Sequence, residues 1–238
     1  MRIMDKKKIL AKIKGGLIVS CQALKDEPLH GASIMAKMAL AAKTGGASGI
    51  RANGAGDIAA IKKAVDLPVI GIIKKVFKDS DVYITPTLKE IDGLAAAGAD
   101  IIATDATDRI RPHGVSLGDF YAGVRKKYLG LILMADISTF EEGVAAAAMG
   151  FDIVATTLSG YTQYTEGIKL PDFRLLKKLV KTLKIPVIAE GGIGEPHELK
   201  KAVREINAFA AVVGTAITRP QHITRRFVSC MNERKADR

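Results

Sequence analysis

Short apolar runs bounded by turn residues recur eight times along the chain, at residues 17–21, 49–52, 69–73, 101–104, 131–135, 153–156, 187–189 and 210–213. Each has the length of a strand, and continuous rather than alternating apolar character marks strands covered on both faces. Segments with helical spacing of apolar residues lie between and after them, at 34–43, 56–65, 88–97, 117–127, 140–149, 173–183, 198–206 and 222–231. Eight such alternations predict an α/β fold, a single (β/α)8 TIM barrel over residues 1–238, with 1–14 as a short basic helix ahead of the first strand. A doubly wound sheet would need fewer strands, and no linker or shift in composition divides the chain in two. Gly45, Gly46, Gly98 and Gly150 supply left-handed stops for helices, and Pro68 and Pro186 mark the entries to two strands.

Apolar residues make up 48% of the 238, enough for a sizeable core, and no apolar run reaches the roughly 18 residues of a membrane span. Lys6-Lys7-Lys8 followed by Leu17-Ile18-Val19-Ser20-Cys21 imitates an export signal, but Lys12, Lys14, Gly15 and Gly16 interrupt it. A cytoplasmic protein that engages no membrane is expected. Cys21 and Cys230 lie at opposite ends without metal-ligand spacing, so reduced thiols are expected and neither a zinc site nor a disulfide framework is. The net charge of +11 raises the question of nucleic acid. The excess falls within 6–14, 177–184 and 219–238 at helical spacing, tryptophan is absent, and no recognised nucleic-acid motif accompanies it. Solvated helix faces that also steer a small anion are the better reading, with no nucleic-acid partner.

Ligands of parallel α/β folds collect at the carboxyl ends of the strands. Those ends deliver Gln22, Arg51, Lys74, Asp105, Asp136, the run Thr156-Thr157-Leu158-Ser159-Gly160-Tyr161, Glu190, and Gly214-Thr215. The opposite turns are mostly Gly, Ala, Asp and Pro, an asymmetry that an enzyme needs and a structural barrel does not. Lys74 follows Val69-Ile70-Gly71-Ile72-Ile73, and a lysine in dry surroundings can work as a base. Glu190 stands between a buried run and Gly191-Gly192, where a carboxylate has little structural reason to be. Asp105 and Asp136 are either helix caps or substrate contacts, and Arg51 is either an anion ligand or the partner of a buried Asp. Gly191, Gly192 and Gly214, with Arg219 nearby, look like a phosphate cradle after strands seven and eight. A lysine and a carboxylate reaching one pocket suit proton transfer at a carbon beside a carbonyl, without metal or cofactor.

The chain resembles the N-acetylmannosamine-6-phosphate 2-epimerases from about Gly16 to Pro220. The matching motifs include Ser20-Cys21-Gln22-Ala23-Leu24, Gly49-Ile50-Arg51-Ala52, Pro68-Val69-Ile70-Gly71-Ile72-Ile73-Lys74 and Val82-Tyr83-Ile84-Thr85-Pro86-Thr87. Further on are Ala103-Thr104-Asp105-Ala106-Thr107, Met134-Ala135-Asp136-Ile137-Ser138, the run from Thr156 to Thr162, Ala189-Glu190-Gly191, and Gly214 to Pro220. The resemblance implies reversible, cofactor-independent conversion of N-acetyl-D-mannosamine 6-phosphate to N-acetyl-D-glucosamine 6-phosphate, as in sialic-acid breakdown. By it, Lys74 removes the C2 proton of the ring-opened sugar and Glu190 shares the acid–base work. Gln22, Arg51 and Asp136 match positions that hold hydroxyls or orient the catalytic pair, and Ser159, Tyr161 and Gly191 are expected beside them. Gly192, Gly214, Thr215 and Arg219 match the phosphate-binding part. A homodimer using the last helix is also implied. Many relatives follow the lysine with Arg-Asp, where this chain has Lys75-Val76. Another phosphosugar barrel isomerase, or an aldolase with a Schiff base on Lys74, is the rival.

Overall fold

The computed structural model describes residues 6–232. Among them eight parallel strands close into a barrel in chain order. They are β1 (Leu17–Cys21), β2 (Gly49–Asn53), β3 (Val69–Ile72), β4 (Ile101–Asp105), β5 (Ile132–Asp136), β6 (Ile153–Ala155), β7 (Val187–Glu190) and β8 (Ala210–Val213). The ring closes where Leu17 to Val19 of β1 register with Ala211 to Val213 of β8, so no strand edge is left open. The helices are α1 (Lys6–Ile13), α2 (Ala32–Thr44), α3 (Ala55–Ala64), α4 (Leu88–Ala96), α5 (Leu117–Lys127), α6 (Phe140–Met149), α7 (Phe173–Thr182), α8 (Pro196–Lys200), α9 (Thr215–Thr218) and α10 (Pro220–Asn232).

Two apolar clusters follow from the period-2 alternation of strand side chains. Ile18, Ile70, Ile101, Ile132, Ile153 and Ile188 fill the inside of the barrel. Their neighbours Val19, Val69, Ile102, Leu133, Val154 and Val187 point outward into the layer between strands and helices. Helix α1 carries Ile9 and Ile13 one turn apart, and both are buried in the inner cluster, at the end where the strands begin. Residues 1–5 of the helix expected over 1–14 lie outside the described residues. Helix starts follow their sequence signals. Thr87 with Glu90 and Thr139 with Glu142 form capping boxes, and Ser116 and Asp172 cap α5 and α7.

Three departures from the expected elements bear on the site. β3 ends at Ile72, and Lys74 instead forms an isolated antiparallel bridge with Ile84. The helix expected over 198–206 is α8 followed by a π-helical turn over Lys201–Glu205. A short helix, α9, stands directly after β8, and α10 starts at Pro220 rather than 222. Gly71 in β3 faces outward under α3 and α4. A Cβ there would come within 2.9 Å of both the Ala99 Cβ and the Ile58 Cδ1. Gly71→Ala is therefore expected to cost about 1–3 kcal/mol in urea unfolding, the usual penalty of overpacking.

Candidate active site

The inward-pointing isoleucines fix which residues of each strand tip reach the barrel mouth. Residues an even number of steps further along point the same way. That brings Ser20 and Gln22 from β1, Lys74 beyond β3, Asp105 from β4, Asp136 from β5, Thr157 beyond β6 and Glu190 from β7. Over the packed interior lies a cavity of about 510 Å³, open to solvent. Gln22, Arg51, Lys74, Tyr161, Glu190, Gly191, Gly192, Gly214, Thr215 and Arg219 all line it. β3 and β7 are four strands apart in a ring of eight, so Lys74 and Glu190 enter from opposite sides.

Lys74 is half-buried, and its backbone N–H donates to the Asn53 Oδ1 at 2.8 Å, tying the β3 tip to that of β2. Burial lowers the proton affinity of its amine. Arg51 and Arg219 lower it further, and Glu190 and Glu27 only partly oppose them.

Arg51 and Asp136 form a fully buried fork, their side chains 1% and 0% exposed. Arg51 Nη1 donates to Asp136 Oδ1 at 3.1 Å and Nη2 to Oδ2 at 2.6 Å. Nη1 also lies 2.9 Å from Glu190 Oε2. Burial works against the guanidinium charge, but Asp136 and Glu190 outweigh it and raise its pKa. The Arg51 Nε and the Gln22 Oε1 are buried polar atoms without a hydrogen-bond partner among the described residues. Gln22 Nε2 donates to Ser20 Oγ at 2.8 Å.

Glu190 is gripped twice from β6. Its N–H donates to the Thr156 hydroxyl at 3.0 Å, and that hydroxyl donates to the Glu190 carbonyl at 2.8 Å. Thr157 Oγ1 lies 3.1 Å from Glu190 Oε2 and 2.7 Å from Asp136 Oδ1. Burial pushes the Glu190 carboxyl up to about 7; Arg51 opposes this most, Asp136 adds to it, and Thr157 and Lys74 oppose it. A carboxyl that titrates near neutrality facing a lysine with weakened proton affinity can exchange protons in both directions at ordinary pH.

The far end of the cavity is shaped by glycines. Gly191 and Gly192 have φ of +108° and +73°, and a Cβ on Gly192 would come within 2.4 Å of the Leu170 Cβ. Gly214 precedes α9, where a Cβ would meet that of Ser20 at 3.3 Å. Glu27 holds Arg219 through Nε at 2.8 Å and Nη2 at 3.0 Å, leaving Nη1 facing Thr215 Oγ1 at 3.5 Å.

Two expected substrate contacts are placed otherwise. Asp136 does not line the cavity, because Arg51 and Thr157 occupy both its oxygens; it holds other residues in place. Ser159 is also absent from the wall. The chain turns away after β6, leaving Ser159 1% exposed and its hydroxyl donating at 3.0 Å to Asp172, the cap of α7. Neither Asp105 nor Asp136 caps a helix: Asp105 accepts from the N–H and hydroxyl of Thr107 and from Arg109, fixing the turn beyond β4. Ser20, Tyr83, Thr157, His222 and Arg226 line the cavity without having been singled out. Counting in steps of two from the inward isoleucines Ile18 and Ile153 marks Ser20 and Thr157. Tyr83 arrives through the bridge between Lys74 and Ile84, a pairing across a loop with no local signal.

A closed parallel barrel whose opposed strand tips bring an amine and a carboxyl into one open cavity has the architecture of a barrel enzyme. The family model described as "Putative N-acetylmannosamine-6-phosphate epimerase" matches residues 35–233. The chain belongs to the N-acetylmannosamine-6-phosphate epimerase family. Relatives named "Putative N-acetylmannosamine-6-phosphate 2-epimerase" include one from Caldanaerobacter subterraneus, 54% identical over 227 residues, covering 95% of each chain. Another, from Clostridium perfringens, is 55% identical over 223 residues, 94% of this chain and all of that one. The solved structure of the N-acetylmannosamine-6-phosphate 2-epimerase from Clostridium perfringens superposes with a TM-score of 0.90 at 54% identity, covering 95% of this chain and 98% of that one. Thiamine phosphate pyrophosphorylase from Pyrococcus furiosus, at 18% identity and a TM-score of 0.57 over 94% of this chain and all of that one, shares the fold alone.

Proposed function

We propose that this chain interconverts N-acetyl-D-mannosamine 6-phosphate and N-acetyl-D-glucosamine 6-phosphate by moving the C2 proton, without a cofactor, in the breakdown of amino sugars. The observation that carries this reading is the entry of Lys74 and Glu190 into one cavity from opposite strands. C2 lies beside the aldehyde carbon of the ring-opened sugar, so its proton is acidic enough for a positioned amine to remove. Neutral Lys74 takes it from one face and the protonated Glu190 returns one to the other. In the reverse direction the Glu190 carboxylate accepts and the Lys74 ammonium donates. The pair thus carries one exchangeable proton whichever way the reaction runs. Gln22, Arg51, Tyr161 and Gly191 surround the sugar in this scheme. The glycine-shaped end, with Gly192, Gly214, Thr215 and Arg219, takes the phosphate. A coupled assay with N-acetyl-D-mannosamine 6-phosphate tests the reading, with N-acetyl-D-glucosamine 6-phosphate as the expected product.

The pH dependence follows from the same pair. Below about 7 Glu190 holds its proton and cannot accept one. Activity is therefore expected to rise as pH passes through about 7 and to fall again below the ordinary lysine range, as Lys74 gives up the shared proton. The same limbs should govern kcat/KM measured in both directions; a flat profile between pH 6 and 8 would count against the pair.

Gly192→Ala places a methyl against Leu170 at a left-handed position. It is expected to raise KM for the phosphorylated sugar at least about tenfold, because backbone shifted by strain of order 1–3 kcal/mol no longer cradles the anion. A Schiff-base aldolase predicts that borohydride with substrate fixes the sugar to Lys74, and proton shuttling predicts no attachment.

Phe227, Val228 and Met231 project from α10 into solvent at 74%, 49% and 84% exposure, which supports the homodimer reading. No helix among the described residues is long and apolar enough to cross a membrane.

A further inference from the structure

The Thr157 hydroxyl has one hydrogen and two carboxylates within reach, Asp136 Oδ1 at 2.7 Å and Glu190 Oε2 at 3.1 Å. Asp136 is already anchored by both Nη atoms of Arg51, so its orientation is fixed whichever way the hydroxyl turns. The Glu190 main chain is likewise fixed by Thr156, and Arg51 Nη1 holds its Oε2 at 2.9 Å, so of the contacts to the carboxyl the Thr157 hydroxyl is the one that can turn with a change of proton. Thr157 lines the cavity from the tip of β6 and is half-buried, so bulk water does not simply replace its hydrogen bond.

We propose that Thr157 is a positioning residue whose single hydrogen alternates between Glu190 and Asp136 in step with the protonation of Glu190. When Glu190 is ionised the hydroxyl donates to it. When Glu190 takes up a proton, that proton rests against Thr157 Oγ1 between transfers while the hydroxyl hydrogen rotates to Asp136, and it leaves Oγ1 as it is delivered to C2. No bond to carbon or oxygen is broken beyond the transfer that the reaction itself requires, and Asp136 stays ionised throughout. The hydroxyl thereby keeps the carboxyl in one orientation in both halves of the cycle, which a fixed donor cannot do. This rests on the acid–base reading of Glu190 but adds a residue that neither the strand-end survey nor the family resemblance singled out.

Thr157→Val keeps the branched shape and removes the hydrogen; Thr157→Ser restores it. The Glu190 carboxyl is followed by carbon-13 NMR on glutamate-labelled protein, its signal identified by its loss in Glu190→Gln. In the unsubstituted chain it is expected to titrate near 7, and in Thr157→Val about one pH unit higher, since the ionised form loses a charge-assisted donor. Thr157→Ser is expected to return the titration to its original position. The rising limb of kcat/KM should move with it, and kcat should fall about tenfold with KM within about twofold. An unchanged Glu190 titration in a folded Thr157→Val chain, or a shift that Thr157→Ser does not reverse, would overturn the proposal. If the valine chain unfolds, the serine chain alone decides: titration and activity close to those of the parent support it, and a loss as deep as that of Glu190→Gln overturns it. The NMR readout needs no turnover, so lack of epimerase activity in the unsubstituted chain would end the functional reading through a different result.

Discussion

Lys74→Ala is expected to lower kcat by about 10³-fold, with KM changed by no more than a few-fold and the fold intact. A positioned general base contributes about 10²–10⁴ in rate, and Lys74 is the amine that the end of β3 brings into the cavity. The side chain is half-buried and makes no ion pair among the described residues, so removing it leaves no orphaned partner. Its loss even relieves the repulsion of Arg51 and Arg219. Thermal unfolding should therefore be unchanged or slightly raised while turnover collapses. A fall in kcat that tracks a fall in Tm would show that Lys74 serves the fold and not the reaction.

Asp136→Ala should give the largest loss of stability. It removes both anchors of a guanidinium that is 1% exposed, leaving Arg51 with Glu190 as its sole carboxylate among the described residues. Stripping one partner from a buried pair costs about 3–5 kcal/mol. For a chain of this size that corresponds to a drop in Tm on the order of 10 °C. Glu190 would be drawn onto Arg51 and, without the repulsion of Asp136, would hold its proton less well. The rising limb of the pH profile should thus move below 7 in the same variant that melts early. Replacing both residues, as Arg51→Met with Asp136→Leu, should recover part of the stability and none of the activity. Loss of stability in the double variant equal to the sum of the two single losses would contradict the coupling.

The barrel was legible because its strands are covered on both faces and so appear as uninterrupted apolar runs. Continuous runs at 101–104 and 210–213 need no tertiary information to be recognised as strands of a parallel sheet. The ends were less legible. α9 has only the four residues Thr215–Thr218 and shows no period, and the bridge that carries Tyr83 into the cavity joins residues ten apart through a loop. Lys74 and Glu190 stood out because a charged side chain directly after a buried run is hard to explain by packing. Counting steps from the inward isoleucines would also have pointed to Thr157, which the run Thr156–Thr162 contained but chemistry alone did not separate from its neighbours. Ser159 shows the limit of that rule. Beyond β6 the backbone leaves the strand geometry on which parity depends, and the hydroxyl ends at the cap of α7. The buried pairing of Arg51 with Asp136 is one of two readings the residue types allow, and the choice between them depends on strands that are distant in sequence.

Running the reaction in deuterated water puts the central claim to the most direct test. A proton handed between amine, carboxyl and carbon must mix with solvent, so deuterium is expected at C2 of the N-acetyl-D-glucosamine 6-phosphate formed. Carbon-bound protium kept at C2 through many turnovers would contradict it.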